Sequence, residues 1–77
     1  MNNSYLAKMA SDELVETLFF GGFNYTKEKS MQGKDKVYTY KTDAFTLIIK
    51  GRIITIDKEK FNRVSDAKRH IQMRYIK

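Results

Sequence analysis

The stretch VYTYKTDAFTLIIKGRIITI, residues 37–56, carries the clearest fold signal in the chain. Phe45, Leu47 and Ile49 alternate with polar or outward positions, and β-branched and aromatic side chains dominate, as a pleated, half-buried surface demands. Thr42-Asp43 and Lys50-Gly51 supply turn chemistry between the runs, so the stretch reads as an antiparallel meander. A meander with one apolar face must be covered, and the flanking segments have to supply the cover.

Both flanks are helical in composition. On one continuous N-terminal helix, Tyr5, Leu6 and Met9 would lie over the side that carries Asp12, Glu13 and Glu16, opposite Leu14, Val15, Leu18 and Phe19. The expectation is therefore a break at Ser11, acting as an N-cap with acids in its first turn. Residues 1–10 then form a separate short helical segment, and Gly21-Gly22 ends the second one. FNYTKEK places Phe23 and Tyr25 on one side of a strand, whereas SMQGKDK reads as a polar loop that orders on contact. DKEKFN is a polar connection anchored by Phe61. In the closing RVSDAKRHIQMRYIK, Val64 suits a staple, Ser65 an N-cap and Asp66 the positive end of the helix dipole. Val64, Ala67, Ile71 and Tyr75 make its apolar stripe. The expected fold is α+β: one domain, 1–77, with order αβββ(β)α, its antiparallel sheet packed by N-terminal and C-terminal helices.

With 77 residues the core is small, so a homodimer or a bound partner is a natural supplement. There is no cysteine and a single histidine, His70, which excludes thiolate and multi-histidine metal sites. No run is apolar enough for a membrane span and no signal-peptide pattern opens the chain, so a soluble cytoplasmic protein is expected. Glycine-rich phosphate loops and nucleophile elbows are absent. Asp57 and Glu59 beside Lys58 and Lys60 read as a solvated charge mixture, and His70 with Asp66 as a helix-surface pair. No enzyme, metal or cofactor is expected.

Fifteen Lys and Arg against nine Asp and Glu give a net charge of +6. The imbalance is uneven: residues 1–21 carry −2 and residues 22–77 carry +8. Such a field favours nucleic acid or an acidic protein surface. Two groups of residues could supply the contact. One is Lys27, Lys29, Lys34, Lys36 and Lys41 interleaved with Tyr38 and Tyr40, a pattern that suits base stacking or, equally, cross-strand packing with edge lysines. The other is the flank of the last helix: Arg63, His70, Arg74 and Lys77, with Lys68 beside the core. That flank either tracks phosphates or keeps a small helix soluble. Met73 and Ile76 should point away from the sheet. With Tyr5 and Leu6 they are either a protein contact or a surface onto which the N-terminal segment folds back.

The order helix, three strands, helix resembles the double-stranded RNA-binding domain, and SDAKRHI is similar to that family's second-helix start. The resemblance implies a packing role for Ala67 and a phosphate contact for Lys68; where the family carries a lysine pair, this chain has Ser65-Asp66. A looser resemblance, in length, lack of cysteine and proline, and richness in Lys, Asn, Ile, Tyr and Phe, is to small accessory proteins of phages and mobile elements in low-GC bacteria. It implies a DNA-binding regulator or a protein-binding inhibitor of a host or defence enzyme. The function expected is thus non-enzymatic nucleic-acid binding through phosphates, with a protein-binding inhibitor or adaptor as the alternative.

Overall fold

A computed structural model describes residues 3–76, with side chains from Leu6 onward. The elements are α1 (Asn3–Phe20), β1 (Tyr25–Gln32), β2 (Asp35–Thr42), β3 (Thr46–Lys50), β4 (Ile53–Ile56), β5 (Glu59–Phe61) and α2 (Val64–Arg74). The strands form one antiparallel sheet in chain order, β1-β2-β3-β4-β5. Both helices lie on one face, α1 over β2 and β3, α2 over β4 and β5, and they touch each other. The core between the layers is Leu14 and Leu18 of α1, Ala67 and Ile71 of α2, and Tyr38, Tyr40, Phe45, Leu47, Ile49, Ile54 and Ile56 of the sheet side. This is the expected α+β arrangement, with the meander as read.

Helix α1 runs through Ser11 without a break. Its buried stripe is Ala7, Ala10, Ser11, Leu14, Thr17 and Leu18, at helical spacing, with Lys8, Met9, Asp12, Glu13 and Glu16 exposed on the opposite side. Two alanines carry the stripe into the first half of the helix, where no large apolar residue does. Ser11 is buried mid-helix, its hydroxyl hydrogen-bonded to that of Tyr40, and is not an N-cap. The stripe also displaces Phe19, expected in the core, to 71% exposure. Past Phe20 the Phe23 amide donates to the Leu18 carbonyl and the Gly22 amide to that of Phe19, while Gly22 adopts φ +75°. This is a Schellman cap that glycine alone adopts cheaply.

The segment SMQGKDK, expected as a loop, is the end of a β-hairpin. β1 and β2 pair continuously from Tyr25↔Thr42 to Gln32↔Asp35, leaving a two-residue turn with Gly33 at φ +62°. DKEKFN likewise closes into a turn and the short strand β5. The turn is held by Asp57 at φ +54°, a conformation aspartate tolerates. The Asp57 amide donates to the Thr46 carbonyl (2.9 Å) and its carboxylate accepts from the Thr46 amide (3.1 Å) and the Tyr75 hydroxyl (3.3 Å). Helix α2 begins at Val64 with Arg63 as its extended N-cap, and no side chain caps it, so Ser65 lies inside the first turn. Asp66 sits in that first turn, as expected from the dipole.

Candidate nucleic-acid interface

The sheet is wider than the helical layer. Neither helix packs over β1, and all eight of its residues are exposed. Because side chains alternate across a strand, Tyr25, Lys27, Lys29 and Met31 share the helix-side face with Lys36, Tyr38 and Tyr40 of β2, their near neighbours in the register. Glu28 and Asp35, the acids of the hairpin, alternate to the far face. The pleat thus separates Lys27, Lys29 and Lys36 from every carboxylate of the hairpin. Lys34 is in the turn, at its end.

Tyr38 and Tyr40 are core residues, 4% and 0% exposed, so neither ring is open to a stacking base. Lys27 lies over both, its ammonium 5.4 Å from the Tyr38 centroid and 5.8 Å from that of Tyr40, and Lys29 lies 5.9 Å from Tyr38. The lysine stems cover the tyrosines on the side toward β1, beyond the reach of α1, and leave their charges in water. Lys41 is on the opposite face, 3.8 Å from Glu28, in the one ion pair found among the described residues.

The second basic group lies elsewhere. α2 covers the β5 edge, and β1 is four strand spacings away, roughly 19 Å. Between them stands α1 with Asp12, Glu13 and Glu16 exposed. Arg63, Lys68 and Arg74 are exposed on α2; His70 is half-buried, its ring centroid 5.0 Å from Phe61 and 6.0 Å from Tyr75, with no hydrogen bond to Asp66 among the described residues. Lys77 lies outside the described residues. The two groups therefore form two surfaces.

Of the expected protein contacts, Met73 is 78% exposed, beside a cleft of ≈ 530 Å³ lined by Phe61, Arg69 and His70. Ile76, expected to point outward, is half-buried against the core, because its amide bonds the Ile71 carbonyl and turns the chain back toward Gly21. Leu6 is half-buried in a cleft with Val64 and Arg52, away from Met73, so the N-terminal segment does not fold back over it. Tyr5 belongs to α1, with its side chain outside the described residues. Burial and the adjacent Asp57 carboxylate, charge first and then hydrogen bond, raise the Tyr75 hydroxyl above its usual pKa.

One feature sequence reasoning missed is the aromatic pair at the end of α1. Phe19 and Phe20 are 71% and 82% exposed, with ring centroids 5.5 Å apart and planes 80° apart. The available signal was the helical wheel: about 100° per residue puts both rings well off a stripe centred on Leu14 and Leu18. Among the described residues no cluster of three or more His, Asp or Glu is placed to hold a metal ion, and no helix is long and apolar enough to cross a membrane. In comparisons with known proteins, the chain matches no family model, no curated sequence and no solved structure.

Proposed function

We propose that the chain is a non-enzymatic module that binds nucleic acid through phosphate contacts from the helix-side face of the β1–β2 hairpin. The observation that supports this most is the sorting of charge by the pleat: Lys27, Lys29 and Lys36 share one open face from which both hairpin acids are excluded. Lysine heads held at two-residue intervals on a rigid strand suit a polyanion with regularly spaced charges. The cations of α2 add to the long-range field that draws a polyanion in. The test is the affinity for a labelled oligonucleotide as salt is raised. Log K should fall linearly with log salt, with a slope of about −0.7 per phosphate contact for a single strand and about −0.9 for B-form DNA. A salt-independent affinity, or no binding at low salt, refutes the proposal.

Met73, exposed beside the Phe61–His70 cleft, favours a second reading, an inhibitor or adaptor that binds a protein. Affinity capture from lysate with and without nuclease separates the two. A discrete partner that survives nuclease and is lost on Met73→Asp supports the second; partners that vanish with nuclease support the first.

A further inference from the structure

We propose that the outer surface of the two helices is the interface of a homodimer, related by a two-fold axis that runs along the cleft between α1 and α2. The inference does not rest on nucleic-acid binding and uses a different surface of the chain.

Phe20, 82% exposed, is the most exposed large apolar side chain among the described residues. It lines a cleft of ≈ 490 Å³ with Glu16 of α1, Lys68 and Gln72 of α2, and Ile76 just beyond that helix. Phe19 stands edge-on to Phe20 and widens the apolar patch. Covering these rings is the gain that a second molecule offers.

Charge names that second molecule. Asp12, Glu13 and Glu16 are exposed on α1, and Lys68 and Arg69 are exposed on α2. The exceptions stand on the outer flanks: Lys8 in the helical row of Ser11, which meets Tyr40, and Asp66 beside Phe61 and Met73. None of these groups pairs within the chain, since Lys41–Glu28 is the one ion pair among the described residues. An acidic helix beside a basic one is self-complementary, as an isologous contact requires.

The two helices run in the same direction, because Leu6 and Ala10 share one cleft with Val64 while Phe20 shares another with Gln72 and Ile76. Two axes can stack such a layer on a copy of itself. An axis perpendicular to the helices sets α1 on α1 and α2 on α2, acid on acid and base on base. An axis parallel to them sets each α1 on the other copy's α2, turns Glu16 toward Lys68, and brings the two Phe20 rings together near the centre. The charges select the parallel axis, and the rings supply the affinity.

The experiment is sedimentation velocity of the full chain at concentrations up to roughly 1 mM, where even a weak contact is populated. Far-UV circular dichroism confirms that each variant folds. Wild type should pass from monomer to dimer as concentration rises. F20A should raise the dimer dissociation constant roughly thirtyfold or more, the scale of a central aromatic anchor. E16K and K68E should each weaken the dimer by setting like charges across the axis, and E16K/K68E should restore it. A Glu16–Lys68 pair formed only within one chain would leave the equilibrium of all three unchanged. Wild type that stays monomeric, F20A that dimerises as wild type, or a double variant no stronger than the single ones overturns the inference. Oligonucleotide binding measured on the same samples separates the two readings: a monomer that still binds loses the dimer and keeps the proposed function.

Discussion

The Ser11–Tyr40 hydrogen bond decides whether α1 is one helix, and it can be tested as a double-mutant cycle. Both hydroxyls are buried, on residues 1% and 0% exposed, and each is satisfied by the other. Ser11→Ala strips the partner from a buried phenol, a loss of about 1–3 kcal/mol. Alanine returns a few tenths of that as a better helix former, by about 0.5 kcal/mol at most. Tyr40→Phe leaves the smaller hydroxyl, which can turn back to the carbonyl one helical turn earlier, so it should cost less. S11A/Y40F removes both polar groups, so its loss should fall well below the sum of the single losses, with a coupling of about 1–2 kcal/mol. In thermal unfolding each kcal/mol moves the Tm of a domain this size by about 4–8 °C, so the effect is readily measured. Ser11→Asp adds the discriminating arm. An N-cap would accept aspartate, whereas a buried helix-interior site would not and should lose several kcal/mol by confining a charge. Additive single losses together with a harmless Ser11→Asp would refute the continuous helix.

Lys36→Gln should lower the salt slope of nucleic-acid binding by about 0.7–0.9, whereas Lys41→Gln, on the opposite face beside Glu28, should leave it unchanged. Gly22→Ala places a side chain at φ +75° and should destabilise by about 1–2 kcal/mol in urea unfolding, the αL penalty, since nothing crowds that position. The Tyr75 hydroxyl has a raised folded pKa, so the fold holds its proton more tightly than the unfolded chain does. The stability this contributes is complete below the unfolded value of about 10 and is lost as pH rises through the higher folded value. The Tyr75→Phe variant should lose a late phase from the tyrosinate absorbance titration, and its stability should fall less steeply at high pH.

Legibility followed burial. The meander from Val37 to Ile56 was readable because Leu47, Ile49, Ile54 and Ile56 face a core, and burial imposes a period of two on sequence. The outer half of β1 was not, since all its residues are exposed and only its pairing with β2 makes it a strand; Gly33 was the one available sign of a tight hairpin. In α1 the stripe turned on Ala7 and Ala10, which carry little hydrophobic weight, while Leu6 and Met9 drew attention to the wrong side. At the site, the alternation Lys27-Glu28-Lys29 already assigned charges to faces. The roles of the tyrosines depended on how far the helical layer reached, which no local pattern records.

That limit of the helical layer explains why the lysines are where they are. A five-stranded sheet under two helices leaves the inner face of β1 uncovered, and there Lys27 and Lys29 lie across the β1 side of Tyr38 and Tyr40, residues of the strand that α1 covers. The same side chains thus serve as roof and as the proposed anion site, and the two roles separate by chemistry. K27M/K29M keeps unbranched stems of similar reach and deletes both charges. Stability should then fall only by the lost cation–π terms, about 0.5–1 kcal/mol each at an exposed site. Nucleic-acid binding should lose two contacts, and its salt slope about 1.4 for a single strand. K27A/K29A should lose the contacts and in addition unroof the tyrosines, with a larger drop in Tm. Binding by K27M/K29M at wild-type strength and slope would mean that these lysines only shelter the core, and the interface would have to be sought on α2.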